Sequence, residues 1–320
     1  VNDEPTVTFG ATPTVSEDSS AQTISSFAIP LSGATQREGG QTFSYNVTNS
    51  NNAFFSVQPS IADNGTLTYT PAADANGSVV VTVEVVDSGS NISPNDNSST
   101  NTFTIVVTAV NDAPVLTGVG SSILTDNGSN NFTANNQFTA IDEDNTSSSG
   151  DAVSTLLNAA AAINISETSP FAAGAAPGIA VTSVDDANGN WQFSIDGTNF
   201  TDFGSVSANF SRLLDGTNPN HKIRFVPNTD FFGAATIKYR AWDKTAGVVG
   251  DTGDTSTNGG ATAFSAGEVT KTIVVNSVND EPRVSVSDIT IDEDTSAQTV
   301  SSFATAESGA TQLENGQTFT

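Results

Sequence analysis

The chain has no cysteine, no methionine, one histidine and only nine Lys+Arg in 320 residues. Without cysteine, a disulfide framework, Cys-ligated zinc, iron–sulfur clusters and thiol nucleophiles are all excluded. Ser-His-Asp chemistry and His-ligated zinc would both depend on His221 alone. It lies in the polar turn DGTNPNHK and reads as a loop histidine without chemistry. Arg37 is the only basic residue before position 111. Nucleic acid is therefore ruled out as a partner, because phosphate binding needs clustered Lys and Arg. No run of about 18 apolar residues exists, so this segment is not expected to enter a membrane. No GxSxG, P-loop, Rossmann glycine pattern, EF-hand loop or GGxGxD nonapeptide occurs in a fitting context. The chain opens on Val1 without an initiating Met or a signal peptide, and is read as a piece of something longer.

What is abundant is negative charge: 35 Asp+Glu give a net charge of −26. Leu, Ile, Val and Phe make up 74 residues, about 23%, close to the roughly 20% below which chains tend to be disordered. A thin core beside a carboxylate surplus suggests that bound cations help offset the entropy of folding. Ca2+ fits best, since it takes six to eight oxygen ligands from Asp, Glu, Asn and carbonyls.

Internal repeats organise the chain. Val1-Asn-Asp-Glu-Pro5 returns as Val278-Asn-Asp-Glu-Pro282, with the variant Val110-Asn-Asp-Ala-Pro114 between them. Residues 19–44 and 295–320 align without gaps and match at 18 of 26 positions. This defines a repeating two-domain unit of 277 residues. The expected domains are 1–110, a larger 111–277, and 278–320 as the truncated first part of the next repeat, a fragment unable to close its own sandwich.

The expected fold is all-β. Asn46–Thr48, Thr66–Thr70, Val79–Val86 and Phe103–Val110 are short β-branched or alternating runs separated by Asn, Gly, Asp and Pro. Asp63-Asn-Gly65 reads as a tight turn with Gly65 at positive φ. Strands at this spacing over about 110 residues predict tandem β-sandwich domains. In the second domain, residues 151–163 (DAVSTLLNAAAAI) predict a short helical insertion, and Gly247–Gly260 a Gly/Thr/Asp loop.

The VNDxP junctions, the xEDxS/T segments that follow them and the domain ends resemble tandem cadherin-like and immunoglobulin-like repeats of giant secreted bacterial adhesins, including those exported with RTX tails. GNWQFSIDGTNF at 189–200 and RFVPNTDFFGAATIKYRAWD at 224–243 look like modules common in the same surface proteins. The vertebrate cadherin motifs DxNDN and LDRE are not present as such.

The resemblance implies calcium at the domain junctions, and the residues read the same way. Glu17-Asp18, Asp142-Glu143-Asp144 and Asp292-Glu293-Asp294 form acidic knots. PAADANG (71–77) then VVD (85–87) in the first domain match PNTDFFG (227–233) then AWD (241–243) in the second. Like charges this close repel unless a cation or water separates them. Glu17, Asp18, Asp74 and Asp87 are expected to converge with Asn111 and Asp112. Asp142, Glu143, Asp144, Asp230 and Asp243 are expected to converge with Asn279 and Asp280. The bland alternative is that these are turn residues bonding their own backbone on a solubilising acidic surface, as Asp63, Asp96 and Asp126 are read here.

The function expected is a non-enzymatic, calcium-rigidified extender of an adhesin at the bacterial surface, supporting cell adhesion and biofilm formation, with neighbouring repeats of the same chain as partners. A paired-carboxylate glycosidase is disfavoured because the acid pairs recur at domain boundaries. The alternative is a glycan- or protein-binding platform in the second domain, built from Trp191, Phe193, Phe200, Phe203, Tyr239 and Trp242. Alternation of Trp191, Phe193 and Ile195 before Asp196-Gly197 instead marks a half-buried hairpin strand.

Overall fold

A computed structural model describes residues 2–31, 40–92, 96–116, 124–126, 132–134, 138–159, 163–164, 178–281 and 283–307. They fall into two compact units, the first running to Asp112 and the second beginning at Ala113. Both are β-sandwiches in tandem along the chain.

Unit 1 contains β1 (Thr6–Phe9), β2 (Thr14–Ser16), β3 (Gln22–Ile24), β4 (Ala28–Leu31), β5 (Phe43–Asn49), β6 (Phe55–Ile61), β7 (Leu67–Pro71), β8 (Gly77–Asp87) and β9 (Ser98–Thr108). One sheet has the order β2-β9-β8-β5, another β3-β7-β6, and β1 pairs with β4. Strict alternation drives this. In β8, Val79, Val81, Val83 and Val85 point inward and are fully buried, with Leu67 and Tyr69 of β7 and Ile105 and Val107 of β9. Phe27 packs edge-on to Phe103 at 4.7 Å and stacks on Phe9 at 5.6 Å, closing one side of the core. Gly65 is at φ 78° in the β6–β7 turn, where a Cβ would lie 2.0 Å from the Ala28 carbonyl oxygen. Only glycine fits there.

Unit 2 contains β10 (Val115–Leu116), β11 (Leu124–Asp126), β12 (Phe132–Ala134), β13 (Ile141–Asp142), β14 (Asp151–Ala152), α1 (Val153–Ala159), β15 (Ile163–Asn164), β16 (Gly178–Val184), β17 (Gly189–Ser194), β18 (Thr201–Asp202), β19 (Ser211–Asp215), β20 (Lys222–Pro227), β21 (Gly233–Trp242), β22 (Thr252–Gly253), β23 (Val269–Asn276), β24 (Arg283–Val286) and β25 (Ala304–Glu307). The main sheet has the order β13-β23-β21-β16-β19-β22, and the second β14-β20-β17-β18. Their core holds Trp191, Phe225, Tyr239, Ile179, Ile223 and the helix residues Val153 and Leu156.

The helix expected over 151–163 is shorter than its Ala-rich sequence suggests. Asp151–Ala152 are taken by pairing with Ile223 and Lys222, while Asp151 accepts bonds from the amide and hydroxyl of Thr139. Ile163–Asn164 is a strand paired with Val115–Leu116. Sheet pairing overrides local propensity at both ends. Residues 160–162 lie outside the described residues, as do 308–320 of the third piece.

His221 is a keystone of its turn. It is buried, its Nδ1 accepts from the Asp215 amide at 3.0 Å, and its carbonyl accepts from the Val153 amide. Burial holds its imidazole below the usual histidine range.

Candidate metal centre

In unit 1 three elements meet at one end of the sandwich. β2 runs parallel to β9, pairing Val15 with Val107 and Ser16 with Thr108. The Glu17 amide then donates to the Thr108 carbonyl at 2.9 Å. This sets Glu17-Asp18 beside the chain leaving β9 toward Asp112. The turn before β8 supplies Asp74, with the Ala75 amide donating to the Ala72 carbonyl. Carboxylate oxygens of Asp18, Asp74 and Asp112 all lie within 4.8 Å of one another.

Unit 2 repeats the construction with different sequence spacings. β13 runs parallel to β23, and the Glu143 amide donates to the Asn276 carbonyl at 2.9 Å. The turn before β21 supplies Asp230, with the Phe231 amide donating to the Asn228 carbonyl. Carboxylate oxygens of Asp144, Asp230 and Asp280 lie within the same 4.8 Å. The smaller bonds repeat as well. The Asp74 amide donates to Asp18 Oδ1 at 3.3 Å, and the Asp230 amide to Asp144 Oδ1 at 3.1 Å. The Val110 amide donates to Glu17 Oε1 at 2.5 Å, and the Val278 amide to Glu143 Oε1 at 2.5 Å. Asp18, Asp74, Asp144 and Asp230 all hold φ between 56° and 61°, a left-handed conformation that costs a non-glycine residue free energy.

The ion pairs of the described residues are Arg240–Glu268 and Lys244–Asp215, and neither reaches a triad. Burial, followed by the repulsion of Asp74, Asp18 and Glu17, pushes the Asp112 carboxyl up to about 6. Burial also raises Glu143; the Val278 amide opposes this and Asp280, Asp144 and Asp230 reinforce it. Glu143 is 5% exposed, and its Oε2 is buried without a hydrogen-bond partner. Leaving a buried carboxylate oxygen unsatisfied costs about 1–3 kcal/mol or more. A hard cation beside the triad would satisfy it. The donor set, all oxygen and mostly carboxylate, fits Ca2+ by its chemistry.

Two expectations on convergence are corrected. Asp87 and Asp74 are at opposite ends of β8, whose 11 residues span about 33 Å. Asp87 is buried where its Oδ1 accepts from the Gly89 amide at 2.7 Å and from Asn2 Nδ2 at 3.2 Å. Asp243 likewise follows the far end of the ten-residue β21. Its Oδ1 accepts from the Thr245 amide and hydroxyl at 2.8 and 2.6 Å. Neither joins its triad.

The remaining residues take outlying places. Asn111 is half-buried beside Asp112. Asn279 donates to the Asp280 carbonyl, and exposed Asp142 accepts from Asn276 Nδ2 at 3.4 Å. Asp292, Glu293 and Asp294 are exposed, with Asp294 at φ 61°. Asn76, not singled out from the sequence, donates to Glu17 Oε2 at 2.8 Å. The one signal for it was its place in PAADANG. The aromatic set of the alternative reading is core: Trp191, Phe193, Phe203, Tyr239 and Trp242 are buried, and half-buried Phe200 lies under the Arg224 guanidinium at 3.9 Å.

No curated protein matches the chain. Among solved structures it is similar to the protocadherin GammaB4 extracellular domain, with 17% identity, TM-score 0.44, and coverage of 92% of this chain and 36% of that one. It is also similar to protocadherin Gamma B2 extracellular cadherin domains 3–6 (15%, TM-score 0.38, 93% and 57%). A third is human protocadherin-24 EC1-2 (14%, TM-score 0.37, 87% and 100%). The chain spans 36% to 57% of the length of the first three protocadherin structures it matches. Residues 1–108, the first of the two sandwiches, match the family model of the cadherin-like domain.

Proposed function

We propose that this chain is an extender segment of a secreted bacterial adhesin, built from tandem domains at about 1–110 and 111–277 and the start of a further copy from 278, and stiffened by Ca2+. The observation that carries this reading is the duplicated site. Two units of different length and sequence spacing place Asp18, Asp74 and Asp112, and Asp144, Asp230 and Asp280, in the same relation. A catalytic pair has no reason to recur in each domain, whereas a structural cation does.

The chain's own residues divide the work. Glu17 and Glu143 latch the segment leaving the last strand through the Val110 and Val278 amides. The aspartates present their oxygens, four of the six held in left-handed turns before or after a strand. Bound there, Ca2+ would set positive charge among the clustered carboxylates and join two turns to the exit of the last strand. Because that exit is also the start of the next domain, the domain junction would stiffen. Sites of this kind work at the ~10⁻⁴–10⁻³ M calcium affinities of extracellular modules. Binding is then coupled to folding, so a chain kept flexible during export would fold outside the cell, where neighbouring repeats are its first partners. Burial of the aromatic set disfavours the glycan platform.

Small-angle scattering of the 320-residue chain in calcium and in EDTA tests the extender. The expected result is a longer maximum dimension and less flexibility with calcium. Equal dimensions in both conditions would refute it.

A further inference from the structure

The two candidate centres differ at one turn position, and the difference falls on a buried carboxylate oxygen. The turns that supply Asp74 and Asp230 align residue for residue, PAADANG over 71–77 and PNTDFFG over 227–233. Asn76 corresponds to Phe232, and Gly77 to Gly233, which hold φ of 118° and 134°. Glu17 corresponds to Glu143. Each accepts at Oε1 from the amide of a junction valine, Val110 or Val278.

The second oxygen of each glutamate is treated differently. In unit 1, Asn76 Nδ2 donates to Glu17 Oε2 at 2.8 Å, so both oxygens are taken. In unit 2, half-buried Phe232 offers no donor. Among the described residues nothing bonds Glu143 Oε2, although the side chain is only 5% exposed. The charges of Asp280, Asp144 and Asp230 act on that carboxyl, so it borders their triad. Unit 2 also carries Asp142 and Glu281 where unit 1 has Ser16 and Ala113. Ligand charge tunes the calcium affinity of an oxygen site. A buried, unsatisfied carboxylate oxygen destabilises the cation-free protein, and a cation that satisfies it gains that difference as affinity.

We propose that the two centres are inequivalent: unit 2 fills at calcium concentrations about tenfold or more below unit 1, and the Asn76/Phe232 difference sets the gap. The inference rests on the calcium reading above. Asn76 is a positioning residue that keeps Glu17 Oε2 off the cation, whereas Phe232 leaves Glu143 Oε2 open to it. Stiffening then comes in two steps as calcium rises.

The test is calorimetric calcium titration of the 320-residue chain. Two affinity classes about tenfold or more apart are expected. Asp280→Ala should abolish the tighter class and Asp112→Ala the weaker. Asn76→Leu removes the donor from Glu17 and should tighten the weaker class severalfold. Phe232→Asn supplies a donor to Glu143 and should loosen the tighter class about tenfold. Neither exchange should change the number of ions bound, which a merely structural effect would not respect. If Asn76→Leu does not fold without calcium, Phe232→Asn decides alone. One affinity class, or a tighter class lost with Asp112→Ala, would overturn the proposal, as would affinities that Phe232→Asn leaves in place. No calcium binding at all would overturn the calcium reading itself, so the two failures are told apart.

Discussion

Replacing Asp18 by glycine changes two quantities of opposite sign, and the cation decides which wins. Asp18 holds φ 60°. A left-handed residue with a Cβ costs about 1 kcal/mol, and glycine returns roughly half of that gain through its larger unfolded-state entropy. The substitution also removes one of the charges that raise Asp112 to about 6. The hydrogen bond lost, from the Asp74 amide, is 3.3 Å long and exposed, so its loss costs little. In EDTA, Asp18→Gly should therefore stabilise unit 1 by about 0.5–1 kcal/mol, a few degrees in Tm for a domain of this size. With calcium the balance reverses. A ligand at a hundred times its Kd contributes about 2.7 kcal/mol, and most of that disappears when one of three carboxylates is removed. The assay is a pair of thermal melts, with and without 10 mM Ca2+, on the unmodified chain and the variant. Asp18→Ala is the control that keeps the strain and loses the ligand: it should melt close to the unmodified chain in EDTA and well below it in calcium. A shift of the same sign for Asp18→Gly in both buffers would refute the reasoning.

Other substitutions separate the parts of the site. Asp112→Ala should weaken calcium binding in unit 1 alone; a titration retaining the unmodified number of sites and affinities would remove Asp112 from the ligands. Glu17→Ala strands the Val110 amide and Asn76 Nδ2, and should cost about 2 kcal/mol in urea unfolding, with Glu17→Gln less harmful. Cost within error of zero would show that water replaces the carboxylate freely. His221 carries a pH test. Its folded-state value lies below the ordinary 6.5, so the unfolded chain takes up the proton first. Its contribution is complete above about pH 6.5 and declines as the pH falls below that. Urea midpoints of unit 2 should drop between pH 7 and 5, and His221→Gln should flatten that slope; an unchanged slope contradicts the assignment. Trp191→Ala empties a core position and should cost about 3–5 kcal/mol. A stable variant would return Trp191 to the surface and revive the platform reading.

Much of the fold was legible because β8 and β9 announce themselves through unbroken alternation, and Asp63-Asn-Gly65 marks its turn. The triads were legible because each aspartate sits at a repeated landmark: after a glutamate in the acidic knot, in PAAD or PNTD, and in the VND junction. Asp87 and Asp243 misled for a physical reason that the chain itself contains. They also recur in order, but recurrence fixes equivalence between domains, not proximity within one. Strands of 11 and 10 residues carry them to the opposite end, and a rise of about 3.3 Å per residue was enough to see it. The helix failed at its ends because Asp151–Ala152 and Ile163–Asn164 found sheet partners that propensity does not record. Glu143 Oε2 and the raised Asp112 depend on burial, which no local motif contains.

The central claim is that cations complete the fold at both triads. Thermal melting of the 320-residue chain in 10 mM Ca2+ and in EDTA tests it most directly. With calcium the Tm should be higher by about 10 °C or more, a shift that grows with calcium concentration and that magnesium, smaller and bound to stricter geometry, reproduces only in part. A Tm that does not move between calcium and EDTA would contradict it.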